Sequence, residues 1–172
     1  MKKLIITALT GLLLLAPFLL TGCVTAKNTQ EGLAIYLTKN SISPDKMEML
    51  SHIETTENPA IGQDDIVSYI WETHTIHLKQ AVFNKLEDMQ IPTTGVSFVV
   101  CVDEAPIYWG AFWAGYSSQS FDGVTIQLKP SMAGENRVQI TTGYPGGSFF
   151  KGEDPRANPL IKEALEKAGK LE

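Results

Sequence analysis

Cysteine and histidine are scarce in this chain, with 2 and 3 among 172 residues. A disulfide framework is thereby excluded, and no Cys-x-x-Cys or His-x-x-x-His spacing is available to hold a structural metal. Positive charge is also short, 14 Lys and Arg against 19 Asp and Glu, for a formal net charge of -5. Such a surface does not attract phosphate backbones, so nucleic acid is not an expected partner. Internal repeats and low-complexity tracts are absent. The glycine-rich stretch Gly143-Tyr144-Pro145-Gly146-Gly147 lacks the lysine of a phosphate loop and the spacing of a dinucleotide fingerprint, and no cofactor is expected. Apolar residues run on at length in one place only, Leu4 to Leu20.

That run follows Lys2-Lys3 and ends in Leu20-Thr21-Gly22-Cys23. The order is that of a signal peptide, a basic start, an apolar middle and a cleavage site. The closing box resembles the one read by the lipoprotein diacylglyceryl transferase and its signal peptidase. The expectation is a bacterial lipoprotein: residues 1–22 a cleaved signal peptide, Cys23 the lipid-bearing (palmitate-type) first residue, and residues 23–31 a polar tether. A retained membrane-spanning anchor is the alternative, but the run is at the short limit for a span and carries Pro17. Two or more acyl chains on Cys23 suffice for stable anchoring. Because Val24 rather than Asp follows the cysteine, the expected place is the periplasmic face of the outer membrane in a host that has one. With Cys23 lipidated, only Cys101 is left, and no intramolecular disulfide can form.

Residues 32–172 are expected to form one domain. Leu33 to Leu37 has strand length; Ser43-Pro44 reads as a cap opening a short helix to Leu50. Ile53 to Ile61 reads as extended. Ile66 to Trp71 and Thr75 to Leu78 read as a hairpin, and Lys79 to Met89 as a helix burying Val82, Phe83, Leu86 and Met89. Val96 to Val102 and Ile107 to Ala114, joined by a turn at Asp103 to Pro106, read as the central hairpin. Val124 to Leu128 follows, then Val138 to Thr142 near an edge, and a last helix after Asn158-Pro159 with Leu160, Ile161, Ala164, Leu165 and Ala168 as its stripe. Short connections without alternating strand and helix predict an α+β fold, a mainly antiparallel sheet with helices packed on it.

The middle of this order, Asp64-Asp65-Ile66 with its hairpin and helix, then Ser97-Phe98-Val99-Val100-Cys101-Val102-Asp103-Glu104-Ala105-Pro106-Ile107 and Phe121-Asp122-Gly123-Val124-Thr125-Ile126, resembles the first periplasmic domain of the SecD protein-export subunit. The resemblance covers less than half of residues 23–172. It implies an α+β head that contacts polypeptides without catalytic residues. Tyr108-Trp109-Gly110-Ala111-Phe112-Trp113 is far more aromatic than that family's second strand, and its multi-pass membrane region has no counterpart here, so export activity is not implied.

In an extended Ile107 to Tyr116, Tyr108, Phe112 and Tyr116 fall on one face and Trp109 and Trp113 on the other. One face enters the core. The other needs a helix, a loop such as Gly143 to Phe150, or a partner to cover it. Ordinary internal packing and a stacking or peptide-binding surface built from Tyr108, Trp109, Phe112, Trp113 and Tyr116 are both open. His74 and His77, with His52, are weighed as a metal group, but odd spacing on a strand sends the first two to opposite faces, and no metal is expected. Cys101, among Phe98, Val99, Val100 and Val102, reads as a small buried hydrophobe. Asp64-Asp65 and Asp103-Glu104 are explained by turn and helix-start chemistry.

The expected function is thus a lipid-anchored, non-enzymatic envelope module that contacts a protein or peptide through its aromatic hairpin. A hydrolase using Cys101 or His74 and a purely structural envelope protein are the alternatives. No motif brings a nucleophile, a base and oxyanion donors together.

Overall fold

The computed structural model describes residues 31–128 and 136–172. The expected signal peptide, residues 1–22, the expected lipidation residue Cys23 and the expected tether up to residue 30 lie outside the described residues. Among the described residues seven strands form one sheet: β1 (Leu33–Leu37), β2 (Ile66–Ile70), β3 (Thr75–Leu78), β4 (Val96–Val102), β5 (Ala105–Ala114), β6 (Phe121–Leu128) and β7 (Arg137–Tyr144). Their order is β1-β4-β5-β6-β7-β3-β2. Every neighbouring pair is antiparallel except β5 and β6. Two helices, α1 (Gln80–Glu87) and α2 (Pro159–Lys167), complete an α+β fold. No helix among the described residues is long and apolar enough to cross a membrane.

Local chemistry accounts for these elements. All seven residues of β4 are buried, as a continuous apolar run buried on both faces should be. Asp103 and Glu104 both take positive φ (50° and 66°), the two-residue turn whose twist matches that of the strands it joins. β5 therefore starts at Ala105, two residues earlier than the spacing predicts. Helix α1 buries Val82, Phe83 and Leu86. Helix α2 is capped by Asn158, whose side-chain oxygen accepts from the Leu160 N–H at 2.9 Å, with Pro159 at the first helical position. It buries Ile161, Ala164 and Leu165, while Leu160 is exposed.

Three expectations are corrected. The segment after Ser43 forms two short 3-10 turns, Pro44–Lys46 and Leu50–His52, separated by extended Met47 and Met49. Pro44 favours a helical start, but no apolar stripe follows to hold a longer helix. Strand β7 lies inside the sheet between β6 and β3, not near an edge. Strand β6 begins at Phe121 rather than Val124 and runs parallel to β5, joined to it by the short crossover 115–120.

One face of the sheet packs on both helices. Its core joins Leu33 and Ile35 of β1 to Ile66 and Tyr69 of β2, strands at opposite ends of the sheet order, so the sheet is strongly curled. Both edges are covered. The Ile35 N–H donates to the Ile61 carbonyl at 2.8 Å, and beyond β2 the Tyr69 N–H donates to the Lys170 carbonyl at 2.7 Å. At the entry to β1 the Gly32 N–H donates to Asp103 Oδ1 at 2.7 Å, and the Asp103 N–H returns to the Gly32 carbonyl at 3.0 Å.

Candidate functional site

Among the described residues, neither α1 nor α2 packs on the second face of the sheet. Trp109, Ala111 and Trp113 of β5 point to it, and two separate covers form there. Over β1 and β4, the segment after Pro44 packs Leu50 and Ile53 against Ala34, Tyr36, Val99 and Cys101, with Trp109 at the margin. Over β5 to β7, Tyr144 and Phe121 pack against Ala111 and Trp113. Between the two covers an open groove of about 800 Å³ remains, lined by Trp109, Trp113, Phe121 and Phe149.

The groove floor is an aromatic chain. Phe121 stacks on Trp113 with centroids 5.1 Å apart and planes 10° from parallel, and it meets Trp109 at 6.0 Å. Tyr144 flanks Trp113 at 5.8 Å. Trp109 and Phe121 are half-buried and Phe149 is 45 % exposed, so ring surface faces solvent in a patch rather than singly. Trp113 is 3 % exposed, and its buried indole N–H has no hydrogen-bond partner among the described residues. Leaving such a donor unpaired costs about 1–3 kcal/mol. Asp45, Asp122 and Lys151 line the same space, the last two 3.3 Å apart.

The five aromatic residues singled out in the sequence separate. Trp109 and Trp113 line the groove. Tyr108 and Phe112 point to the helix-bearing face and are buried in the main core at 6 % and 0 % exposure. Tyr116 lies past the end of β5, on the exposed turn of the crossover. Parity separates the two faces correctly, and it is the curled core that claims the Tyr108 face. Phe121 and Phe149 are the groove residues that pattern reading passes over. The signal for Phe121 is the glycine two places on, which shares its face of β6 and leaves room for a ring.

His74 and His77 lie on different elements, the first in the β2–β3 turn and the second on β3. His74 sits in the β2–β3 turn with φ 50°, its Nδ1 3.0 Å from the Tyr69 hydroxyl. Burial first, and the Arg156 guanidinium second, hold its pKa below the ordinary histidine value. Arg156 is fixed by a two-pronged ion pair to Asp154, at 2.9 and 2.6 Å, and by donation to the Ile140 carbonyl at 2.7 Å. Among the described residues, no group of three or more His, Cys, Asp or Glu side chains is placed to hold a metal. Cys101 is 3 % exposed; burial, aided by the charge of Glu104, pushes its thiol up to about 11. A thiol so protonated is a poor nucleophile.

No family model, no curated protein and no solved structure matches this chain.

Proposed function

We propose that this chain is a lipid-anchored bacterial envelope lipoprotein whose folded part is a non-enzymatic module for binding a polypeptide segment. Residues 1–22 act as the signal peptide, Cys23 carries the lipid, and the domain works on the extracytoplasmic side of a membrane, the periplasmic face of the outer membrane where the host has one. The observation that carries the binding reading is the groove: half-exposed Trp109 and Phe121 on the sheet, with Phe149 of the glycine-rich turn lining the same space.

The physical chemistry favours binding over catalysis. Aromatic rings on a strand offer large apolar area at little conformational cost. A polypeptide contact is also what the resemblance to the SecD domain implies. The nucleophile candidate, Cys101, lies under the other cover and out of the groove.

Two experiments test the two halves. Metabolic labelling with an alkyne-bearing palmitate should mark the full-length protein in cells, and Cys23→Ser should abolish the mark; a labelled Cys23→Ser chain would end the lipoprotein proposal. A photocrosslinking amino acid at position 149 of the lipidated protein should capture one dominant envelope polypeptide, and the adduct should vanish when Trp109→Ala is added. Intramolecular products alone would mean that the groove is closed by the chain itself.

A further inference from the structure

The groove has an electrostatic character beyond its apolar floor. The faces of Trp109, Phe121 and Phe149 carry the negative side of the ring quadrupole. Two carboxylates, Asp45 and Asp122, line the same space. Asp45 accepts from the Ser43 hydroxyl at 2.5 Å. The cation on the groove wall, Lys151, is held to Asp122 at 3.3 Å while its side chain stays 82 % exposed. An ion pair that open contributes little to stability and exchanges readily.

Ring faces and carboxylates in one cleft suit a guest with an apolar stem and a cationic head. We infer that the groove selects a basic polypeptide segment, laying the stem of a lysine or arginine on Trp109 and Phe121 and its head against Asp122, the position Lys151 occupies in the free protein. Lys151 is then an internal stand-in that the guest displaces. The acid excess of the chain as a whole, 19 to 14, draws the same kind of partner at longer range. The inference rests on the polypeptide-binding proposal and narrows it to one class of segment.

The test uses full-length protein in a non-ionic polyoxyethylene detergent, read by tryptophan fluorescence. The probes are three capped octapeptides of one pattern, with lysine, glutamine or glutamate at alternate positions. The lysine peptide should saturate the signal with a Kd roughly tenfold below that of the glutamine peptide and further below that of the glutamate peptide. Raising salt from about 50 to about 500 mM should weaken it. Asp45→Asn and Asp122→Asn should each weaken lysine-peptide binding several-fold, and Lys151→Met should tighten it, all without moving the thermal midpoint. Equal binding of all three peptides would overturn the charge selection and leave the polypeptide groove standing. Failure of all three peptides, with saturation by a cell-wall glycan fragment, would overturn both.

Discussion

Phe121 lies across Gly123 on one face of β6: a side-chain carbon built at Gly123 would stand 2.5 Å from Cζ of the Phe121 ring. The bare glycine lets the ring fold flat along its own strand and stack on Trp113 of the neighbouring one. The groove floor therefore depends on a residue that contributes no atoms to it.

Gly123→Ala should unseat the ring and leave the fold. Phe121 is partly exposed and can swing toward solvent, so the stability loss should stay near or below about 1 kcal/mol. The aromatic signal in near-ultraviolet circular dichroism should fall, and ligand capture at the groove should fall with it. An unchanged spectrum together with unchanged capture would show that the stacked pair is not what shapes the floor.

Tyr144 holds the crossover between the two parallel strands. Its hydroxyl donates to the Gly115 and Ser117 carbonyls, each at 3.0 Å. Tyr144→Phe keeps the ring against Trp113 and deletes only that tie. Chemical denaturation should show a loss of about 0.5–1.5 kcal/mol, and hydrogen exchange should quicken at residues 115–120 before anywhere else.

His74 makes stability depend on pH in a particular window. Its folded pKa lies below the ordinary 6.5, so the unfolded chain binds the proton more readily. The stabilisation is fully present above about 6.5 and is lost as pH falls from there through the depressed folded value. Asp154, also depressed, acts lower, below its ordinary 3.8. The thermal midpoint should therefore drop between about pH 7.5 and about pH 5.5. His74→Asn, which tolerates positive φ, should flatten that drop; an equally steep profile in the variant would place the titration elsewhere.

Cys101 should resist modification. Its thiol is pushed up to about 11 and buried against Ala34, Tyr36 and Val99. In native protein near neutral pH a thiol reagent should react orders of magnitude more slowly than with a free thiol, and denaturant should restore ordinary rates. Rapid native labelling would revive a reactive role for this residue.

Much of the fold is legible in the residues because local chemistry and tertiary structure agree. The unbroken run Val96 to Val102, the Asn158-Pro159 cap and the Val82, Phe83, Leu86 stripe each specify an element without help from distant contacts. Strand order does not follow from such signals. The parallel placement of β6 beside β5 and the interior place of β7 depend on long-range pairing, which leaves no periodic mark. The site was legible by half. Parity along β5 put Trp109 and Trp113 together, but whether that face or the Tyr108 face meets the helices is decided by how the sheet curls. Phe149 reaches the groove through a turn in a segment without alternation, and no spacing rule announces it.

The reciprocal bonds between Gly32 and Asp103 fix how the domain answers a mechanical load at its N-terminal end. Strand β1 is bonded along its length to β4, from Leu33 opposite Val102 to Leu37 opposite Phe98, and Ile35 is bonded to Ile61 on the other side. These bonds run across the strand direction. A pull at Gly32 along the axis of β1 strains them all at once, as in a lap joint, instead of peeling them one by one. A load of that kind would leave the core closed and the groove in shape, and the folded residues would answer it as one body.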